Sequence, residues 1–201
     1  LQPTSIYGLT KRDQEEMCLL LGRAHRFPTV AFRYFSVYGP RQSLVNPYTG
    51  VIARFATRLM CGKPPLVFED GQQRKDCVHV RDVVRANLLA LHGGGGDYET
   101  FNIGSGQPKT IIEMARAIAR GLGVALEPVV VGKFRASDAR HGWAGTEKAK
   151  RLLGWEPLVS FDEGIFDLCT WLRGLPPAQI EAAIATFERV EQEAQAKGLQ
   201  F

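Results

Sequence analysis

The sequence predicts an α/β fold, and three observations carry that expectation. A capped amphipathic helix near the start runs directly into a short strand that is apolar at nearly every position, as an inner strand covered on both faces would be. The alternation of strand and helix returns later, when a strand at 99–103 and a turn lead into a second capped helix from Thr110. Composition agrees: of 201 residues, 45% are hydrophobic and 23% charged, the balance of a folded globular chain.

Taken in order, Thr4 or Ser5 caps a helix to about Ala24, with Met17, Leu20, Leu21 and Ala24 expected on its buried face. Residues 29–35, β-branched and aromatic, form the strand, which Tyr38, Gly39 and Pro40 break. A polar loop follows to Gly50, and loops leaving strand ends in open α/β sheets are where ligands bind. A helix at 51–60, a short strand at 66–68, a turn at 69–71, a strand at 77–80 and a helix at 82–91 come next. The four glycines at 93–96 make a connector, with no helix directly after them to form a phosphate loop. After the strand at 99–103, Thr110 with Glu113 gives a capping box for a helix that stops at 121–123. A strand at 127–131, a charged loop at 134–145 and helices near 146–153, 161–173 and 177–197 complete the chain.

The net charge of +4 is mild and no basic block occurs, so small anionic ligands fit better than a polyanion. The apolar runs are too short to cross a bilayer. Cys18, Cys61, Cys77 and Cys169 lack metal-ligand spacing and read as small packing residues, reduced thiols of a cytoplasmic protein, with no metal expected. The chain opens at Leu1 without methionine and enters a helix within about five residues, which reads as the C-terminal part of a longer protein.

Tyr7 and Lys11 are four residues apart and share a helix face. A phenol is a poor base at neutral pH, with a reference pKa of about 10. A nearby ammonium, joined by a cofactor cation, favours the phenolate, so the pair can transfer protons. Taken alone it reads better as a surface tyrosine beside a solvated lysine. Arg135 and Asp138 pair a guanidinium able to clamp a diphosphate with a carboxylate able to accept from ribose hydroxyls. His141 reads equally as a ligand contact or a loop-packing residue, His79 as a packed strand residue, and His25 and His92 as exposed.

In order along the chain come Tyr7-x-x-x-Lys11, the run Arg33-Tyr34-Phe35-Ser36-Val37-Tyr38-Gly39-Pro40-Arg41-Gln42, and Phe68-Glu69-Asp70-Gly71-x-Gln73. Asp76-x-Val78-His79-Val80-x-Asp82-Val83, Phe101-Asn102-Ile103-Gly104-Ser105-Gly106, Phe134-Arg135-x-x-Asp138-x-Arg140-His141 and Leu153-Gly154-Trp155-x-Pro157 follow. Together these resemble the NAD-dependent epimerase/dehydratase family, the extended short-chain dehydrogenases/reductases. The resemblance implies the last part of a Rossmann-type parallel-sheet domain plus a small α/β substrate-binding domain. Residues 1–45, with returning segments near 75–105, would belong to the first, 46–175 mainly to the second, and 176–201 to a C-terminal helix. The family's glycine-rich cofactor turn and a third catalytic Ser or Thr would lie upstream of Leu1, so the isolated chain is expected to be inactive. The Gly104 to Gly106 turn would be structural.

The resemblance assigns roles. Tyr7 would be the general base or acid, and Lys11 would hold the nicotinamide ribose of NAD. Tyr34, Phe35 and Val37 would line the nicotinamide end, and Ser36 would face the substrate diphosphate. Val51, Leu66, Val67 and Phe68 would form the nucleotide base pocket, with Lys75, Arg135 and Asp138 on the nucleotide-diphosphate sugar. For the apolar members plain core packing is the competing reading. Lys75 stands where relatives carry Arg and loses the bidentate fork. Ser137 replaces a glycine, and Gly145 replaces a capping aspartate whose role Thr146 could take. The segment 41–50 resembles a subgroup acting on UDP-glucose or dTDP-L-rhamnose, implying a nucleotide-sugar 4-epimerase with tightly bound NAD. A 4,6-dehydratase, a decarboxylase or a non-catalytic substrate-domain fragment are the alternatives. Relatives often dimerise through the helix carrying the tyrosine, which makes a homodimer the expected assembly of the full-length protein.

Overall fold

The computed structural model describes residues 2–44, 46, 50–93, 95–133 and 139–196. The elements are α1 (Ile6–His25), β1 (Val30–Tyr34), β2 (Ser36–Tyr38), α2 (Val51–Met60), β3 (Leu66–Val67), β4 (Arg74–Lys75) and β5 (Cys77–His79). Then follow α3 (Val80–Gly93), β6 (Glu99–Ile103), β7 (Lys109–Thr110), α4 (Ile111–Leu122), β8 (Val129–Val130), α5 (Glu147–Leu153), α6 (Phe161–Arg173) and α7 (Pro177–Ala196). The fold is α/β. β1 pairs parallel with β6, Val30 opposite Glu99 and Tyr34 opposite Ile103, and the Phe35 amide extends the ladder to the Ile103 carbonyl at 3.0 Å. β2 pairs parallel with β5, β3 pairs parallel with β8, and β4 pairs antiparallel with β7.

Side-chain alternation along β1 and β6 gives the sheet two unlike faces. Phe32, Phe101 and Ile103 join Val78, Ala86 and Trp155 in an apolar core under α3 and α5. The opposite face carries Ala31, Arg33 and Thr100, and α1 lies on it. A second core, built on α2, α4 and α6, gathers Ile52, Phe55, Met114, Ile118 and Leu168.

Local chemistry explains the helix ends. The Ser5 hydroxyl accepts from the Gly8 amide at 3.0 Å and starts α1. For α4 the capping box closes, with Thr110 N to Glu113 Oε2 at 2.7 Å and Glu113 N to Thr110 Oγ1 at 3.1 Å. Thr146 makes no such bond, contrary to expectation. Its backbone (φ −105°, ψ −1°) is not the extended conformation that turns a cap hydroxyl onto the first amides.

Three further expectations are corrected. Met17, Leu20 and Leu21 are exposed, at 55%, 63% and 53%, and Ala24 is exposed too, because the residues that dock α1 lie on its other side. β1 is half-buried rather than fully covered, since α1 covers its face lightly and β6 is its sole partner among the described strands. Cys18 is exposed, whereas Cys77 and Cys169 are buried packing residues. The sequence reading also missed β2, β4 and β7, two or three residues each. No described helix is long and apolar enough to cross a membrane.

Candidate functional site

Tyr7 and Lys11 lie in the first two turns of α1. Lys11 Nζ stands 5.5 Å from the centre of the Tyr7 ring and donates to Gln14 Oε1 at 3.1 Å. The tyrosine is 72% exposed.

Two contacts fix where this pair sits. Arg33 of β1 grips Glu15 of α1 with a two-pronged bond, Nε to Oε2 at 2.7 Å and Nη2 to Oε1 at 2.5 Å. At the other end Gly22 lies so close to Thr29 that a Cβ on it would fall 2.1 Å from Thr29 Oγ1. Rising numbers along α1 thus meet falling numbers along the strand, so the two run antiparallel. Tyr7 is eight residues above Glu15, about 12 Å of helix. That distance spans about four strand residues beyond Arg33. It sets Tyr7 level with Ser36 and Val37, past the carboxyl end of β1, where open α/β sheets bind ligands.

The other expected site residues fall into groups. Tyr34 faces α3, its hydroxyl donating to Asn87 Oδ1 at 3.1 Å, on the sheet face opposite Tyr7. Phe35, by alternation, shares the α1 face with Arg33. Ser36 is exposed and Val37 half-buried at the rim of a cleft of about 660 Å3 that also touches Arg41, His79, Arg81 and Asp167. Val51 is half-buried against the second core, and Leu66 and Phe68 are half-buried on either side of Val67. Val67 is 0% exposed, so it offers a ligand no surface and acts as packing beneath the pocket expected there. Lys75 donates to the Ala139 carbonyl. Arg135 and Asp138 lie outside the described residues. Glu69 N donates to the Lys133 carbonyl at 2.7 Å. Arg140 bridges Glu69 Oε2 and Asp70 Oδ2, both at 2.6 Å.

Electrostatics sharpen the picture. The Arg33 hydrogen bonds hold the Glu15 carboxyl below its ordinary range. Arg140 does the same for Asp70. Burial, then Arg81, pushes the His79 imidazole down, and burial raises the Cys77 thiol to about 12. His79 is packed as expected, its Nδ1 accepting from Arg81 N at 3.3 Å. His141 accepts from Arg74 N at 3.2 Å, the loop-packing role.

Sequence reasoning missed the residues that hold this frame. Asp76, 2% exposed, accepts from Ser105 N and Oγ on one oxygen and from Gly106 N and Ala144 N on the other. A Cβ on Gly104 would collide with that carboxylate at 2.7 Å, so the glycine turn is built around Asp76 and is structural. Asp82 accepts from Leu158 N and Val159 N and pins the Trp155 turn, whose indole donates to the Asp82 carbonyl at 2.9 Å. An acidic residue beside an apolar strand was the available signal at both positions, and it does not say which amides the carboxylate collects.

Residues 1–104 match the model of the NAD dependent epimerase/dehydratase family. The dTDP-L-rhamnose 4-epimerase of Burkholderia thailandensis is 40% identical over 171 residues, 85% of this chain and 47% of that protein. Among solved structures, UDP-glucose 4-epimerase of Thermotoga maritima with UDP-glucose matches with a TM-score of 0.77 at 38% identity, covering 83% of this chain and 53% of that one. The Thermus thermophilus UDP-glucose 4-epimerase complex with NAD gives a TM-score of 0.78 at 31% identity, covering 87% and 56%. The chain therefore spans about half the length of these relatives. The matching neighbours are Rossmann-type enzymes, and NAD is the cofactor of the family. On its motifs, its fold and these matches, the chain belongs to the NAD dependent epimerase/dehydratase family.

Proposed function

We propose that these residues form the proton-transfer and nucleotide-sugar part of an NAD-dependent nucleotide-sugar 4-epimerase. One observation carries the reading: Tyr7 and Lys11 share a face of α1, and the Glu15–Arg33 contact sets that face beyond the carboxyl end of β1. The residues present fit the nicotinamide-riboside end of NAD. Lys11 offers an exposed ammonium to ribose hydroxyls, and Phe35 and Val37 offer apolar surface at the level of the Tyr7 phenol. When bound, NAD would accept hydride from the sugar's fourth carbon and return it to the other face. Tyr7 would take the proton from the C4 hydroxyl and give it back, with Lys11 stabilising the phenolate by charge. Ser36, Lys75, Arg135 and Asp138 would hold the diphosphate and ribose, over a base pocket of Val51, Leu66 and Phe68.

The neighbours support UDP- or dTDP-linked hexoses as the substrate class. All four cysteines are free thiols, which fits a reducing cytoplasm. The exposed Leu9, Met17, Leu20 and Leu21 support a homodimer through α1. The cofactor's phosphates would need a glycine-rich turn of the family's kind, so the 201 residues alone should give no measurable NAD isotherm.

The decisive experiment is Tyr7→Phe in an active preparation. Turnover should fall by about 100- to 10,000-fold with nucleotide-sugar binding kept. Near-normal turnover would remove Tyr7 from the mechanism.

A further inference from the structure

We infer that Glu15 and Arg33 are positioning residues for the Tyr7/Lys11 pair: their two-pronged contact, rather than apolar packing, sets the register of α1 on the sheet. The inference rests on the proposal that Tyr7 and Lys11 transfer the proton.

α1 turns most of its large apolar side chains away from the sheet. Its large apolar residues Ile6, Leu9, Met17 and Leu20 recur at helical spacing and are all exposed, between 40% and 83%. They form one stripe, and it points away from the sheet. The docked stripe is Gly8, Arg12, Glu15, Leu19 and Gly22, which together with Asp13 are the less exposed residues of the helix. It meets a sheet face that alternation builds from Ala31, Arg33, Phe35, Thr100 and Asn102. Apolar contact there is non-directional and follows area, so it fixes register less sharply than a guanidinium fork.

Glu15 is suited to the task. It accepts both prongs of Arg33 from β1. One carboxylate thus ties α1 to β1. Its side chain is only 14% exposed, so the pair is partly shielded from water, and a guanidinium fork specifies direction as well as distance. Glu15 lies one turn from Lys11 and two from Tyr7 on the same face. A shift of α1 by a fraction of a turn would carry the phenol off the sugar's fourth carbon, and a displacement of about 1 Å can cost roughly 100-fold in rate. The Gly22–Thr29 approach holds the far end of the helix and leaves the Tyr7 end dependent on Glu15.

The test has two arms. In the first, hydrogen–deuterium exchange is followed in the 201-residue chain carrying Glu15→Gln, Arg33→Met, or the charge swap Glu15→Arg with Arg33→Glu. The single variants should speed exchange across 6–14 about tenfold while leaving α4 protected, and the swap should restore most of the protection. In the second arm, steady-state kinetics of an active, NAD-loaded preparation should show kcat reduced about 10- to 100-fold by Glu15→Gln with KM for the nucleotide sugar within about twofold. Unchanged exchange in both single variants overturns the inference, as does faster exchange with kcat intact. If Tyr7→Phe keeps its activity, the functional reading fails by itself, and the exchange arm still decides whether the pair sets the register.

Discussion

Asp76→Asn is the sharpest test of how the frame of this site is held. The carboxylate is 2% exposed and serves four donors: Ser105 N and Oγ on Oδ1, both at 2.6 Å, and Gly106 N and Ala144 N on Oδ2, both at 2.9 Å. Asparagine keeps one acceptor oxygen. If that oxygen retains the two amides on the Oδ2 side, the new NH2 faces Ser105 N–H, which is left without an acceptor. An orphaned buried donor costs about 1–3 kcal/mol. The surviving bonds also lose their charge assistance, roughly half their strength. The sum is about 3 kcal/mol, and for a chain of this size it lowers Tm by about 6–12 °C. Urea unfolding followed by circular dichroism at neutral pH measures it. Ser105→Ala, which deletes one hydroxyl bond, should cost about 1 kcal/mol and serves as the internal scale. An Asp76→Asn protein within about 0.5 kcal/mol of the parent at unchanged m-value would refute the reasoning. A Ser105→Ala loss as large as that of Asp76→Asn would refute it too.

The remaining predictions concern pH and the two sides of α1. His79 is held neutral by burial, so the unfolded chain takes up a proton below its ordinary 6.5 that the fold resists, and stability should fall as pH drops through that value. Glu15 is held ionised by Arg33, so its contribution is present above its ordinary 4.5 and is lost as pH falls below that through its folded value. Urea midpoints from pH 8 to 3 should therefore decline in two steps, and Glu15→Gln should reduce only the second, which Asp70, Glu99, Glu113 and Glu156 share. Gly22→Ala drives a methyl into Thr29 Oγ1 and should cost about 1–3 kcal/mol, read by the same unfolding assay. Leu20→Glu, at a position 63% exposed, should change the stability of the single chain by less than about 0.5 kcal/mol while reducing self-association in sedimentation velocity.

The elements legible in the sequence were those whose signals are local. The capping box at Thr110, the helix at 51–60 and the strand at 99–103 emerged at the expected places because cap chemistry and hydrophobic period are written in neighbouring residues. β4 and β7 were illegible for the opposite reason. Each is two residues long and exists through a partner some 35 positions away, Arg74 opposite Thr110. The site divides the same way. Tyr7 and Lys11 could be found as a spacing, whereas Glu15–Arg33, Asp76 with its four donors and Arg140 between two acids are pairings between distant segments of ordinary charged residues. A lone glutamate in a helix looks solvated until the strand that answers it is placed.

The error over Met17, Leu20 and Leu21 has the same root and says more about the fold. A stripe of apolar residues at helical spacing reports that a helix has an apolar partner, but period alone does not name the partner or place it in the same chain. α1 carries two stripes on opposite sides. The apolar one faces away from the sheet, and the one holding Glu15 and Gly22, with Tyr7 and Lys11 at its edge, faces the strands. The polar contact is directional, and the apolar one is tolerant of small slides because its energy follows area. On the proposed role of Tyr7, a helix that delivers a phenol to one atom of a substrate while its outer face meets another surface is well served by that division: the ion pair would set the register, and the outer face could be covered without moving the tyrosine.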